Sequence, residues 1–219
     1  AITNENPNTV VVLIGGSAII TEFWREKAPA ILMAWYPGME GGHAIADILF
    51  GKINPCAKLP CVFPKSANQL RVFDKNAKSI RYDMYHGYRW MDKKGHQPAF
   101  AFGHGLSYTT FQYSNLQIEK DRICASDVLE VSVDITNKGD KAGDEIAQMY
   151  VECQQSPIER PVRELKSFVK VPLAPKEKKQ IHFILPAKQL AYYHEKHQEW
   201  VVEPSKYSIF AGPSSLQSD

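Results

Sequence analysis

The segment Tyr82–Trp90 (YDMYHGYRW) brings together side chains that can bind a polar, ring-shaped ligand. It places the imidazole of His86 and the guanidinium of Arg89 beside three aromatic rings, those of Tyr85, Tyr88 and Trp90. His86 and Arg89 can hydrogen-bond hydroxyl groups while the rings stack on a sugar ring. The alternative is an aromatic-rich loop that packs the two parts of the chain together, with Arg89 paired to a carboxylate. Asp83 and Asp92 flank this segment, but nothing in the sequence brings two carboxylates together.

The histidines form a second group of candidates: His182, His194 and His197. The H-x-x-H spacing of His194 and His197 is one that metal sites use. These two residues lie in the polar stretch YYHEKHQEW, which is typical of a strand end or a hairpin. A solvated loop is the simpler interpretation, and no metal site is predicted.

Nucleophilic side chains give no catalytic pattern. Ser107 follows Gly-His-Gly-Leu and does not occupy a G-x-S-x-G turn, so no Ser/His/Asp triad is supported. The four cysteines contain no C-x-x-C pair: Cys56, Cys61, Cys124 and Cys153. A Cys56–Cys61 bridge is one alternative, and idle or buried thiols are the favoured one.

Charge and composition exclude two classes of partner. The formal net charge is +2, from 26 basic and 24 acidic residues that are interspersed. This balance gives no electrostatic footprint for nucleic acid, and the basic run Lys176–Lys179 after Pro175 is expected to be a solvated loop. No apolar run approaches the roughly 20 residues that span a bilayer, so no membrane span is predicted.

The first half of the chain predicts an α/β architecture. Thr9–Ile14 and Ala30–Trp35 are continuous apolar runs, as expected for strands covered on both faces. A Gly-rich turn at Pro37–Gly42 then leads into a helix with the apolar positions Ala44, Ile45, Ile48 and Leu49. Glu40 at the start of this helix is expected to complement the helix dipole. We therefore predict a small parallel sheet with helices against it.

From about residue 116 to 213 the pattern changes to short alternating strands without a helix. Val131, Val133 and Ile135 alternate with polar residues, and the turn Asn137–Asp140 follows. Further strands are predicted at Ile146–Val151, Val162–Val171, Lys179–Leu185, Glu199–Val202 and Tyr207–Phe210. Six or seven strands in this length predict a β-sandwich of immunoglobulin or fibronectin type III shape.

Four motif regions resemble glycoside hydrolase family 3. They are Pro7–Leu13 together with Lys27–Pro64, then Tyr82–Trp90, Phe100–Phe111 and Arg160–Leu173. The resemblance covers nearly the whole chain in the family's order. It implies an α/β C-terminal domain at residues 1–113, N-terminally incomplete, and a fibronectin type III-like domain at residues 114–219. Cys56, His104 and the stretch Asp83–His86 depart from the usual family pattern and indicate a subgroup.

The family's chemistry lies elsewhere in its polypeptide. Its aspartate nucleophile belongs to an N-terminal (β/α)8 barrel, and the acid/base glutamate of three-domain members precedes the segment similar to Asn6–Leu13. The resemblance thus implies that this chain supplies neither carboxylate, and Glu5 is expected to end a helix. We assign no catalytic residue, metal or cofactor, leave the substrate-binding residues unknown, and expect this chain alone to be inactive.

The resemblance also implies partners and a location. The expected partners are the missing N-terminal barrel segment and a β-linked oligosaccharide or glucoside, in an exo-acting, retaining β-glucosidase. Members with the third domain are often secreted or periplasmic, so a periplasmic or extracellular location is expected. A cytoplasmic location and a homo-oligomer are left open.

Two other functions compete with this one. A carbohydrate-binding or adhesion module is the first alternative, in which Tyr192, Tyr193 and Trp200 form a sugar platform; buried core aromatics explain these residues equally well. A nucleotide-binding protein is the second. It is disfavoured because the chain lacks both G-x-G-x-x-G and G-K-[ST].

Overall fold

Residues 2–216 are described by a computed structural model and fall into two units. The first unit extends to Asn54 and resumes from Leu59 to Phe102, whereas the second takes in Pro55–Lys58 and the residues from Gly103 onward. The domain division expected between residues 113 and 114 stays a prediction. Among residues 2–216, no helix combines the length and apolar character needed to cross a membrane.

Two parallel strands form the sheet of the first unit. β1 (Val10–Ile14) pairs with β2 (Ala30–Trp35), as the apolar runs predict, and the register places Val10 opposite Ala30. The expected cover on both faces is not found in the described residues, because Val10 is 46% and Ile14 61% exposed. A sheet of only two strands leaves the outer edge of each strand without a neighbour in residues 2–216.

Two short helices flank these strands along the chain. α1 (Ile2–Glu5) ends at Glu5, as predicted. α2 (Gly41–Leu49) begins after the Gly-rich turn and directly follows Glu40. Gly41 is required there, since a Cβ atom would come within 2.6 Å of the Pro37 ring. The strand–turn–helix unit predicted from the sequence is therefore confirmed.

A third helix was not predicted. The aromatic segment was interpreted as a loop, but α3 (Tyr88–Lys94) begins within it. Gly87 enters the helix with φ of 57°, and Gly95 ends it in the left-handed conformation that favours glycine. These two glycines delimit a helix of only seven residues, too short for its apolar periodicity to stand out in the sequence.

The second unit is a β-sandwich, as predicted. One sheet has the order β10–β5–β6 and the other β3–β4–β7, and both are antiparallel. Their bounds are Phe111–Ile118 (β3), Val128–Asn137 (β4), Gly143–Cys153 (β5), Glu164–Leu173 (β6), Lys178–Pro186 (β7) and Tyr207–Gly212 (β10). A separate hairpin joins Tyr192–His194 (β8) to Glu199–Val201 (β9). Short 3-10 turns lie at Arg25–Lys27, Ala67–Gln69 and Ala187–Leu190.

Alternating residues of the two sheets fill the sandwich core. The predicted inward positions Val131, Val133 and Ile135 are at most 2% exposed, and they pack with Met149 and Phe183. Apolar burial of this kind contributes roughly 1.5–3 kcal/mol for each large side chain. The period-2 pattern of β4 therefore predicted its buried face correctly.

The predicted turn at Asn137–Asp140 is closed by a buried amide. The Asn137 side chain is 0% exposed; its Nδ2 donates to the Lys141 carbonyl at 2.8 Å, and its Oδ1 accepts from the Gly139 N–H at 3.1 Å. The same oxygen accepts a hydrogen bond from the Thr109 hydroxyl. One residue thus satisfies polar groups of both the turn and the chain entering β3.

Candidate functional site

The candidate site in the first unit is a cavity beside the aromatic segment. Its volume is about 270 Å3. Apolar and polar side chains line it: Val62, Leu70, Arg71, Phe73, Tyr82, His86, Trp90 and Met91, together with Gly87. Two of the five predicted side chains, His86 and Trp90, therefore face one space, and Arg71, Phe73 and Tyr82 are additions that the sequence reasoning missed.

An ion pair orders one wall of this cavity. Arg71 Nη1 donates to Asp83 Oδ1 at 2.7 Å and to the Tyr85 carbonyl at 3.1 Å. Asp83 also accepts from the Tyr85 N–H at 2.8 Å. The Tyr85 N–H and the Arg71 guanidinium lower the pKa of the Asp83 carboxyl below its ordinary value. Asp83 is thus a charged positioning group at neutral pH and has no free proton to donate.

Trp90 is held by its surroundings from several directions. Its indole Nε1 donates to the Gln69 carbonyl at 3.0 Å. The Arg71 Cζ and the Lys94 Nζ each lie 4.8 Å from the ring centroid, which is within cation–π range. Because these contacts occupy the Trp90 ring, its role is to form part of the cavity wall and not to offer an open face on which a ligand stacks.

The other predicted side chains of the segment make contacts of their own. Tyr85 is 5% exposed, and the Lys93 Nζ lies 3.8 Å from its ring centroid. Tyr88 stacks on Phe102 at 4.8 Å, with the Arg89 Cζ 6.0 Å from its ring. None of these three lines the cavity of the first unit, and Asp92 lies within α3. These contacts all lie within the first unit, so the interpretation that the segment packs the two parts of the chain together stays a prediction. His86, Tyr82 and Phe73 are exposed side chains of the cavity wall.

A second cavity, of about 260 Å3, lies in the second unit above a buried ion pair. Lys58 Nζ lies 3.2 Å from both Glu145 oxygens and donates to the Gly105 carbonyl at 3.0 Å. Tyr113 donates its hydroxyl hydrogen to Glu145 at 2.8 Å. The Lys58 and Glu145 side chains are only 10% and 3% exposed. His104 also lines this cavity.

Burial controls proton affinity around this pair. It raises the pKa of Glu145, with Lys58 and Tyr113 opposing that rise. It also raises the pKa of Tyr113, an effect to which the Glu145 carboxylate adds. Burial lowers the pKa of His104, and the Lys58 ammonium acts in the same direction. The polar groups of this cavity are bonded to one another, so they hold Pro55–Lys58 against β5.

Each buried carboxylate among residues 2–216 is paired with a cation. Glu145 pairs with Lys58, Glu203 with Arg160 at 2.7 Å, and Asp134 with Lys178 at 2.8 Å. A retaining glycosidase needs two carboxyl groups about 5–5.5 Å apart across the sugar. The buried carboxylates described here are instead neutralised within the sandwich.

The histidine and cysteine candidates are separated or exposed. His182 pairs with Glu130 at 2.6 Å across β4 and β7, whereas His194 and His197 lie at the β8–β9 hairpin with ring centroids 4.3 Å apart. No group of three or more potential metal ligands occurs in the part of the chain that the structure describes. All four cysteines are free thiols, so the alternative of a Cys56–Cys61 bridge is wrong. Burial raises the pKa of Cys61, which makes its thiol less reactive.

The predicted sugar-platform residues divide between the two faces of the hairpin. Tyr193 and Trp200 are cross-strand partners, 47% and 72% exposed. Tyr192 is half-buried on the other face, with the Arg160 Cζ 5.9 Å from its ring centroid. The alternative that all three are buried core aromatics is therefore wrong for Tyr193 and Trp200.

Comparison with known proteins defines the class to which these two units belong. Residues 1–108 match the glycosyl hydrolase family 3 C-terminal domain, and residues 145–215 match the fibronectin type III-like domain. The order of an α/β unit followed by a β-sandwich is that of a glycoside hydrolase with an appended fibronectin-like domain. The chain belongs to glycoside hydrolase family 3, as the motif resemblance predicted.

Similar proteins are considerably longer than this chain. The β-glucosidase of Kluyveromyces marxianus is 41% identical over 98% of this chain, which spans 26% of that protein. Thermostable β-glucosidase B of Acetivibrio thermocellus is 38% identical over 98% of this chain, which spans 29% of it. The chain thus covers less than a third of the length of these relatives.

Solved structures of the family share the fold. The β-D-glucoside glucohydrolase of Trichoderma reesei superimposes with a TM-score of 0.91 at 29% identity, over all of this chain and 33% of that one. β-Glucosidase 3B of Thermotoga neapolitana in complex with glucose gives 0.87 at 36% identity, over 95% of this chain and 30% of that one. The fold class predicted from the sequence, α/β followed by all-β, is confirmed.

Proposed function

We propose that this chain is the C-terminal portion of a retaining, exo-acting β-glucosidase that removes terminal β-D-glucosyl residues. The observation that carries the proposal is the alignment of nearly the whole chain, at 36–41% identity, with proteins named β-glucosidases. In this proposal the nucleophile and the acid/base lie in the remainder of the enzyme, and the present chain completes and stabilises the active site. The reaction is a double displacement at the anomeric carbon and involves two carboxyl groups.

Exposed apolar side chains of the first unit support a larger assembly. Met39 is 98%, Phe50 89%, Phe23 87% and Tyr36 77% exposed. Large exposed apolar groups mark surfaces that contact other protein when they are contiguous. We propose that the barrel segment of the same enzyme covers these residues, which gives the first unit its role as a scaffold.

The pairing of the buried carboxylates supports the proposal that the catalytic carboxyl groups lie in the remainder of the enzyme. Glu145, Glu203 and Asp134 each neutralise a lysine or arginine, so none is arranged as one of two acids facing each other across a sugar. The first-unit cavity can contribute a polar wall through His86 and Tyr82, positioned by the Arg71–Asp83 pair. Such a wall would contact substrate without taking part in proton transfer.

A chimeric enzyme tests the proposal. The 219-residue chain replaces the matching 29% of Acetivibrio thermocellus β-glucosidase B, and hydrolysis of 4-nitrophenyl β-D-glucopyranoside is measured. We expect the chimera to hydrolyse the glucoside and the isolated chain to show no rate above the buffer blank. A chimera that carries Phe50→Ser, directly after α2, and Ile14→Ser in β1 is expected to lose thermal stability, because in this proposal the assembly buries these side chains.

Two results would contradict the proposal. One is glucoside hydrolysis by the purified 219-residue chain. The other is a chimera that melts cooperatively, like the parent enzyme, yet has no activity. The periplasmic or extracellular location stays a proposal, which fractionation of the producing cells tests.

A further inference from the structure

The β8–β9 hairpin presents an aromatic pair to solvent, and its register explains why. Tyr193 and Trp200 are directly opposite each other in the antiparallel ladder, so their side chains share one face. The ring centroids are 5.6 Å apart with an angle of 65° between the planes. Tyr192 and Val201, the next pair along, are half-buried on the opposite face. The solvent face of the hairpin is therefore an aromatic corner formed by Tyr193 and Trp200.

Both ends of this hairpin are fixed by one guanidinium. Arg160 Nη2 donates to the carbonyl of Leu190, just before β8, at 2.7 Å. Arg160 Nη1 donates to the carboxylate of Glu203, just after β9, also at 2.7 Å. Glu203 in turn accepts a hydrogen bond from the Ser156 hydroxyl at 3.0 Å. Because its base is clamped, the hairpin holds the aromatic corner in place before any ligand arrives, which reduces the entropy lost on binding.

The exposed area of the corner indicates the size of its ligand. A fully buried aromatic side chain covers 150–250 Å2, so exposures of 72% for Trp200 and 47% for Tyr193 leave roughly 200–300 Å2 available. A stable protein–protein interface buries about 800 Å2 on each partner. The corner by itself is too small for a second copy of this chain and matches one or two sugar rings.

We infer that the aromatic corner binds a sugar ring of a single, soluble β-linked glucan or oligosaccharide. The apolar C–H face of a pyranose packs on the indole, while the Tyr193 hydroxyl and the Trp200 Nε1–H are groups that can hydrogen-bond sugar hydroxyls. A flat crystalline surface requires coplanar rings, and an angle of 65° excludes that arrangement. The choice of a β-linked glucan rests on the proposed function.

Affinity electrophoresis of the whole chain tests this inference. Native gels with and without hydroxyethyl cellulose, a soluble β-1,4-glucan derivative, report binding as retardation of the protein. We expect retardation of the wild-type chain, at least a tenfold weaker effect for Trp200→Ala and Tyr193→Ala, and full retardation for Phe168→Ala. Phe168 is the matched control, because it is 65% exposed and lies on β6, outside the hairpin.

Spectroscopy locates the contact independently of the variants. The chain contains four tryptophans, so 5-fluorotryptophan labelling gives a small set of 19F resonances, with that of Trp200 identified by Trp200→Phe. Titration with cellotetraose is expected to shift the Trp200 resonance saturably and to leave the others in place. A wild-type chain that is not retarded, a Trp200→Ala variant retarded like wild type, or Trp200-dependent adsorption to crystalline cellulose would each overturn the inference.

The binding test of the aromatic corner and the activity test of the proposed function can fail independently of each other. In the chimera, Trp200→Ala is expected to leave hydrolysis of 4-nitrophenyl β-D-glucopyranoside unchanged. Absent retardation with intact hydrolysis refutes the aromatic corner alone. Retardation that depends on Trp200, in a chimera without hydrolysis, refutes the β-glucosidase assignment and leaves the corner standing.

Discussion

The buried pair of Lys58 and Glu145 gives the sharpest prediction about stability. Lys58→Met keeps most of the aliphatic volume but leaves the Glu145 carboxylate, 3% exposed, without its cation; the Tyr113 hydroxyl and the Ile146 backbone N–H still donate to it. Removing one member of a buried ion pair costs about 3–5 kcal/mol. At 2–4 °C for each kcal/mol in a chain of this size, the melting temperature of the chain should fall by roughly 6–20 °C.

A surface pair nearby supplies the control. Lys170 lies 2.8 Å from Asp144, with exposures of 56% and 36%. Because exposed pairs contribute about 1 kcal/mol or less, Lys170→Met should lower the melting temperature by only a few degrees. Circular dichroism melts of both variants at equal concentration make the comparison. Adding Glu145→Leu to Lys58→Met should recover part of the loss, since no buried charge then remains unpaired.

The pH dependence provides a second readout. Burial raises the pKa of Glu145 in the folded state, so the associated stability is present at low pH and is lost as pH rises through that folded pKa. Without the opposing Lys58 ammonium the pKa rises further. The deficit of Lys58→Met should therefore be larger at about pH 8 than at about pH 5. Equal melting temperatures for Lys58→Met and Lys170→Met, or a deficit that grows on acidification, would refute the reasoning.

Two further predictions concern other buried contacts of the second unit. Burial favours the protonated form of Glu203, but the hydrogen bonds to its carboxylate, of which that from Arg160 is the largest, outweigh burial and lower its pKa. The charged Glu203 therefore stabilises the fold above the ordinary pKa of 4.5, and this stabilisation is lost as pH falls through the folded pKa. Glu203→Gln should cost about 3 kcal/mol at neutral pH and flatten the acid limb of a pH-dependent urea denaturation series; an unchanged acid limb would contradict this. Gly103 has φ of 78°, and a Cβ there would overlap the Gln148 side chain. Gly103→Ala should therefore cost about 2 kcal/mol or more in the same denaturation assay, whereas Gly42→Ala, with open space around it, should be neutral or stabilising by under about 1 kcal/mol.

Local patterns in the sequence were sufficient for most of the architecture. The apolar, β-branched runs predicted the parallel pair β1 and β2, and the alternation of Val131, Val133 and Ile135 with polar residues predicted the buried face of β4. β3 was not predicted as a strand. Apolar and polar residues alternate poorly along its sequence FQYSNLQI. In the structure Asn115 takes φ of 55°, and the ladder with β4 shifts register between Ser114 and Gln117. A bulge of this kind interrupts the two-residue alternation of apolar and polar side chains from which a strand is predicted.

The candidate site could be predicted only in part, because its contacts are distant in sequence. His86 and Trp90 were found because they share an aromatic segment. Arg71 was missed since its partner Asp83 lies 12 residues away, across a stretch with no regular period. The pairing of Lys58 with Glu145 spans 87 residues, and no local pattern marks either side chain as buried. Tertiary packing, not propensity, decides these positions.

The four residues Pro55–Lys58 have a consequence for dissecting the molecule. They belong to the second unit, although the chain on both sides of them belongs to the first, so the backbone passes between the units three times. No single cut in the polypeptide can release an intact sandwich. A fragment beginning at Gly103 would lose the Lys58 ammonium group that neutralises Glu145. Chimeric proteins joined at that point should therefore also take residues Pro55–Lys58 from the same parent as the sandwich.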